Sequence, residues 1–381
     1  MRTREPMGIG ILLLGAMLCG CGGGSGSGGN INPPPAIQAA APTVTTTAAQ
    51  NGAVVASLAT TTSGATIYYT LDGSTPTNAS QIYEAPFLVT SPLTVKAIAA
   101  EPPNYLNSNV TSQSFTANIP SGTQVWADEF TNSTNAPAQP NPAVWTYDTG
   151  NSGFGNNELE NYCAWGSTTS PCSTANPNAY VGTDGYLHIV AEQPSAGVYT
   201  SARMKTEGLF SFQYGRIEAR MMLPESQGFW PAFWLLGNNI TTINWPACGE
   251  LDVMEHIDSN NTPFGGPGSG TAPGYDWTQS SIHGTGLNGG TPYTTTGFSA
   301  AVWHTYGMIW TKGQIQYYVD DPTNPYETFT PSTQSGTWPF DAGPQFIILN
   351  LAVGGSWPGA PDATTVWPSQ VQVDYVKIYA N

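Results

Sequence analysis

The 381-residue sequence predicts an all-β protein, with a small β domain at 36–117 ahead of a large antiparallel sandwich or jelly roll at 122–381. Three observations carry this. Charged residues make up 9% of the chain while Gly (43) and Pro (32) abound, against roughly 25% charged in an average soluble protein. Such a composition fits a turn-rich exported β protein with an uncharged polar surface. Short runs also alternate apolar and polar residues, as in YGRIEARMML (214–223), VWHTYGMIW (302–310) and QVQVDYVKIY (370–379), the period of a half-buried strand. Finally, no helical pattern of about 10 to 15 residues separates these runs. The 40% hydrophobic and 11% aromatic content suffices for a buried core.

The chain begins with Arg2 and Arg4 and an apolar run from Ile9 to Leu18, too short to span a bilayer as a mature helix and so expected to be an export signal. Leu18-Cys19-Gly20-Cys21 resembles a bacterial lipoprotein processing site. That resemblance makes 1–21 the signal peptide and lipobox, with Cys21 the acylated residue; simple secretion is the alternative. Residues 22–35 are a Gly/Ser tether ending in Pro33-Pro34-Pro35. The cell surface or outer membrane is the expected location.

In the small domain, Ala65–Leu71 reads as a strand closed by an Asp72-Gly73 turn, and LTVKAIAAE (93–101) as another. Together with Tyr83, this stretch resembles the Ig-like sandwich found at the C-terminus of chitobiases. A spacer or stabilising role is expected, since no row of exposed aromatics is evident. The junction Ile119-Pro120-Ser121-Gly122 opens the second domain.

That domain holds all twelve Trp, eleven of them between Trp145 and Trp367. Flat aromatic faces suit a groove for sugar rings. The net charge of −16 argues against nucleic acid or anionic lipid as a partner and favours an uncharged polymer. A monomer is expected, touching a membrane only through its anchor. Cys163 and Cys172 bracket the loop CAWGSTTSPC and are expected to form a disulfide. Cys248 reads as a buried structural thiol, because no His lies at motif distance to activate it.

GELDVMEHI (249–257) places three carboxylates, Glu250, Asp252 and Glu255, within six positions of a chain with 25 acids. On a helix they would not share a face. On a strand Glu250 and Asp252 do, and Met254 rather than Glu255 follows in line; a β-bulge at Val253-Met254 returns Glu255 to the acidic face. About four strand steps of roughly 3.3 Å then separate the two Glu by about 13 Å between Cα atoms. Side chains leaning together leave about 5 Å between carboxyls, the spacing of a retaining glycosidase. His256, one step further, should face the other side as a structural residue.

The six residues Glu250-Leu251-Asp252-Val253-Met254-Glu255 are similar to the active-site signature of glycoside hydrolase family sixteen, in the bulged form of its bacterial laminarinases, the endo-β-1,3-glucanases. NNELENY (156–162), YTSARMKTEG (199–208), YGRIEARMMLPESQGFWPAFWLLG (214–237), NLAVGGSWPG (350–359) and VDYVKIY (373–379) resemble the same group. The resemblance implies a β-jelly roll with an open cleft, Glu250 as nucleophile, Asp252 as its helper and Glu255 as acid/base. It also implies Trp230 and Trp234 as sugar platforms, Asn156, Arg203 and His283 as polar cleft residues, and Trp357 at the rim. No cofactor is needed for catalysis. A structural Ca2+ is implied on the convex side, held by the main-chain carbonyls of Glu129 and Gly185 and by Asp374.

Other readings are a non-catalytic β-glucan-binding protein, disfavoured because all three acids are present, and a family member acting on mixed-linkage β-glucan or a galactan. The bulge argues against the first of these substrates. The negative charge argues against sulfated galactans.

Overall fold

The computed structural model describes residues 37–257 and 277–381. The expected signal peptide, lipidation site Cys21 and linker lie outside these residues. Among the described residues, twenty-four strands are joined by loops, and the sole helix is a single turn at Ile240–Ile243.

The N-terminal strands pack as two sheets. One holds Thr43–Ala48, Val54–Ala59 and Phe87–Val89; the other holds Gln81–Ile82, Thr66–Thr70, Leu93–Ala100 and Thr111–Phe115. Between them lie Ala56, Leu58, Tyr69, Phe87, Val89 and Val95, the inward half of each alternating run. Asp72 closes the predicted turn by accepting the Ser74 N–H at 3.0 Å. This is the small sandwich that the sequence leads one to expect. It is not a bead on a string, for Ile37–Asn381 form one compact unit and Ala53 and Leu88 belong to the large core beyond it.

The rest of the chain is a sandwich of a ten-stranded and a seven-stranded sheet, the predicted jelly roll. All pairings in the seven-stranded sheet are antiparallel. Its strands run in the order Leu287–Tyr293, Thr278–Gly284, Glu250–Glu255, Phe229–Gly237, Gln345–Val353, Arg203–Lys205, Thr146–Asp148. Glu250–Glu255 (the acid strand) therefore sits well inside the sheet, between Thr278–Gly284 (the histidine strand) and Phe229–Gly237 (the tryptophan strand).

Period two decides which side chains reach the core. Along the tryptophan strand Phe229, Phe233 and Leu235 enter the interior, while Trp230, Ala232, Trp234 and Leu236 line a cleft on the opposite face. Gln345–Val353, next to it, is buried at every position. The inward residues meet Ile217, Ala219, Met308, Val373 and Val376 of the ten-stranded sheet. At this close-packed seam a missing side chain leaves a void that the paired sheets cannot collapse to fill.

Cys163 and Cys172 are disulfide-bonded, as expected. Cys248 is a free buried thiol, pushed up to about 11 by burial and then by the Glu250 charge, which makes it a poor nucleophile at neutral pH.

Phe233 is fully enclosed. Phe233→Ala is expected to lower unfolding stability by about 3 to 5 kcal/mol, measured by guanidinium unfolding, whereas a change below about 1 kcal/mol would mean that this seam is not close-packed.

Candidate active site

Register shows how the acid strand presents its carboxylates. Against the histidine strand, Glu250 pairs with His283, Leu251 with Ile282 and Asp252 with Ser281, and then the pairing jumps so that Glu255 meets Gln279. On the other side Trp234 pairs with Asp252 while Phe233 pairs with Met254. Both ladders place the extra residue at Val253-Met254. Leu251, Val253 and Met254 pack in the core, and Glu250, Asp252 and Glu255 all face the cleft.

The cleft encloses about 940 Å3. Each carboxylate has its own donors there. Trp245 Nε1 donates to Glu250 Oε2 at 3.0 Å. Trp230 Nε1 donates to Glu255 Oε1 at 3.0 Å, and Ser281 Oγ to Glu255 Oε2 at 3.3 Å. His283 Nε2 lies 3.1 Å from Asp252 Oδ2 and 3.7 Å from Glu250 Oε1. Asp252, between the two Glu, is only 3% exposed.

Removing three acids from water favours their neutral forms. Burial, then the Asp252 charge, pushes Glu250 up to about 8, against His283 and the Trp245 N–H, which favour its carboxylate. Burial and Asp252 likewise push Glu255 up to about 8, opposed by His283, Trp230 and Ser281. Burial raises Asp252 well above the usual range. Near neutrality the group therefore holds both protons and charge, which is what a site needing one ionised and one protonated carboxyl requires.

The six predicted binding residues, Asn156, Arg203, Trp230, Trp234, His283 and Trp357, all line this cleft. Trp230 and Trp357 meet edge-to-face with centroids 5.3 Å apart. Trp234 is anchored by its Nε1 donating to Asn350 Oδ1 at 2.8 Å, with the Arg203 guanidinium 4.6 Å over its ring. Arg203 is in turn held by Asp148, Nε to Oδ2 at 2.9 Å. Asn156 donates to Glu158 Oε1 at 3.2 Å, and Tyr162 donates to Glu158 Oε2 at 2.8 Å.

Neither Trp245 nor Asn350 is marked as a site residue by the sequence pattern. Trp245 lies five residues before Glu250, in NWPACGE, and that proximity was its only signal. Asn350 lies in NLAVGGSWPG, but its role depends on contact with a strand more than a hundred residues away. His256 is fully buried, its Nδ1 2.8 Å from the Trp277 carbonyl, and burial lowers it to about 4; it is structural, as expected.

On the other sheet, strand pairing brings the implied calcium residues to one stretch. Leu187, beyond Gly185, pairs with Val373, and Asp128, before Glu129, pairs with Val376. Asp374 lies between these two points, yet its Oδ2 takes an ion pair from Arg220 at 2.7 Å, and Lys377 lies 3.1 Å from Glu129 Oε1. The chain thus offers one carboxylate, shared with a guanidinium, to an ion that takes six to eight oxygens. An ion there would draw on the second Asp374 oxygen and on main-chain carbonyls.

A β-sandwich with a tryptophan-lined cleft and a bulged strand carrying three acids on its cleft face defines a polysaccharide-hydrolase class of site. The profile of glycosyl hydrolases family 16 matches residues 167–377, more than half of the chain, and that described as Fn3 associated matches residues 57–115. The chain belongs to glycosyl hydrolase family 16. It is 36% identical over 266 residues to a β-glucanase of Rhodothermus marinus, covering 67% of this chain and 84% of that one. An endo-1,3-1,4-β-glycanase of Rhizobium meliloti is 34% identical over 62% of this chain and 46% of its own length. The laminarinase catalytic domain of Thermotoga maritima superposes with a TM-score of 0.54 at 34% identity, covering 68% of this chain and 98% of that one. The chain spans only 33 to 42% of the length of three further relatives at 33% identity.

Because the fold raises these acids above the unfolded value of about 4.3, it favours their protonated forms. That contribution is present at low pH and is lost as pH rises from about 4.5 toward about 8. Glu255→Gln, which cannot ionise, is expected to melt about 2 to 4 °C above wild type at pH 8 and to match it near pH 4.5. Calorimetry showing the same difference at both pH values would contradict the raised carboxyl.

Proposed function

We propose that the protein is a retaining endo-hydrolase of β-1,3-glucan. The observation that carries this is the bulge at Val253-Met254, which sets Glu250, Asp252 and Glu255 on one face of a tryptophan-lined cleft. In the proposed first step the Glu250 carboxylate attacks the anomeric carbon, forming a glycosyl ester. As the glycosidic bond breaks, Glu255 passes its proton to the departing oxygen. Glu255, now ionised, takes a proton from water, which attacks the same carbon, breaks the ester and returns Glu250 to its charged form. Two inversions at one carbon leave the β configuration.

The donors around each acid suit these roles. Trp245 and His283 favour charge on Glu250, and Asp252 is placed to hydrogen-bond the nucleophile once it is neutralised. Trp230 fixes Glu255 while presenting its ring to the cleft. The likeness to a laminarinase supports β-1,3-glucan, and the likeness to a 1,3-1,4-β-glycanase makes mixed-linkage glucan the substrate to compare.

Purified chain lacking residues 1–30 is expected to release short oligosaccharides from laminarin, with reducing ends that proton NMR shows first as β. The α anomer appearing first would sink the retaining step. Glu250→Ala should abolish turnover. Glu255→Ala should still accumulate a glycosyl-enzyme from an activated aryl glycoside, whose leaving group needs no proton; equal loss in both variants would contradict the division of roles.

A Ca2+ at Glu129, Gly185 and Asp374 and a lipid on Cys21 complete the proposal. The first predicts that chelation lowers the melting temperature of wild type but not of Asp374→Ala. The second rests on Arg2, Arg4, the apolar run and Leu18-Cys19-Gly20-Cys21, and places the enzyme on the cell surface. Full-length protein should partition into detergent, and Cys21→Ser should not.

A further inference from the structure

The wall of the cleft beside Glu250 is the segment 239–246, anchored on its inner side by Ile240, which packs against Leu236, Cys248, Phe346 and Ile348. Its one-turn helix Ile240–Ile243 buries none of its residues, and the Asn239 side chain makes no cap hydrogen bond. A single exposed turn of this kind is marginal. Residues 241–245 are all exposed. Yet the segment has a demanding task, because Ile240 and Trp245 line the cleft and Trp245 Nε1 holds Glu250 Oε2 at 3.0 Å.

What meets the segment from outside is the N-terminal sandwich. Thr241 Oγ1 donates to the Glu84 carboxylate, whose backbone lies just before Phe87–Val89. That stretch is locked to the catalytic sandwich: Ser211 N donates to Pro86 O at 2.9 Å, and Leu88 N to Ser211 O at 2.9 Å. The neighbouring Phe212 exchanges backbone bonds of 3.1 and 2.9 Å with Gln345, the first residue of the fully buried strand. Glu84 is thus fixed to the rigid core at its base and to the exposed wall at its tip.

We propose that Glu84 is a positioning residue for the active site, and that the N-terminal sandwich braces the 239–246 wall so that Trp245 stays on Glu250. This rests on the catalytic reading above and gives the small domain a part in the reaction other than binding polysaccharide. The brace acts on charge as well as on shape. The groups facing Glu250 are Asp252, Glu255 and His283, with the Trp245 N–H and the Cys248 thiol nearby. Of these, Trp245 alone stands on the wall, so slackening the wall removes a donor that favours the Glu250 carboxylate. Glu84 itself is met by Thr241 and by the charge of Glu207, which pairs with Lys205.

The test compares full-length Glu84→Ala, Thr241→Val, their double variant and Glu84→Gln with wild type. Hydrogen exchange of a peptide covering 238–248 is expected to quicken about tenfold in the first three, where the Asn244 and Cys248 N–H groups bond within the segment. On laminarin, kcat/KM should fall about three- to tenfold through kcat, and its acidic limb should move to higher pH. The double variant should lose no more than either single one. Glu84→Gln, whose amide oxygen still accepts from Thr241, should behave as wild type. If Glu84→Ala fails to fold, Thr241→Val, a change at an exposed site, carries the test. Unchanged exchange in 238–248 with an unmoved acidic limb would overturn the brace. Exchange reads the brace even if wild type leaves laminarin intact, an outcome that would count against the catalytic reading alone.

Discussion

Everything in the cleft depends on carrying three carboxylates out of water on one strand and keeping them on one face. A regular strand cannot do this with the sequence Glu-Leu-Asp-Val-Met-Glu, because alternation would send Glu255 into the core. The inserted residue at Val253-Met254 resolves the conflict in both directions. It returns Glu255 to the cleft and lets Val253 and Met254 both pack inward. The repulsion among the acids is then offset by donors from neighbouring strands and loops, Trp230, Trp245, Ser281 and His283. Their cost in stability is the same property that leaves protons in the site near neutral pH.

The supports extend outward in layers. Trp230 and Trp234 arise on the strand beside the acids, so the cleft's aromatic floor and its acids share one hydrogen-bonded frame. Trp234 is secured by Asn350 from the next strand and by Arg203 above it, and Arg203 by Asp148. These come from rigid sheet positions. The wall at 239–246 is different, a nearly uncovered turn whose outer contact belongs to the N-terminal sandwich. A domain that would be a spacer if it hung on a linker becomes part of the site by touching that wall.

Much of this was legible in the sequence because it depends on local pattern. The alternation in YGRIEARMML and QVQVDYVKIY gave strands at Gly215–Met222 and Ser369–Tyr379, and the single step by which Glu255 is out of phase gave the bulge. The six cleft residues came from likeness of short segments, and the fold does bring them together. What could not be seen depends on contacts between distant segments. Nothing in NWPACGE says that its Trp turns back onto Glu250, and nothing in QIYEAPF says that Glu84 meets Thr241, 157 residues on. Charge competition was equally hidden, for the Arg220 and Lys377 side chains beside Asp374 and Glu129 become neighbours only through strand pairing.

The central claim is that Glu250 is the group that bonds to the sugar. Incubation with a 2-deoxy-2-fluoro β-1,3-linked glycoside bearing a good leaving group slows release of the intermediate, and peptide mass spectrometry then locates the adduct. The account predicts one sugar per chain, attached to Glu250 in the peptide carrying GELDVMEHI. An adduct on Glu255, or steady turnover of the reagent with no adduct on either residue, would contradict it.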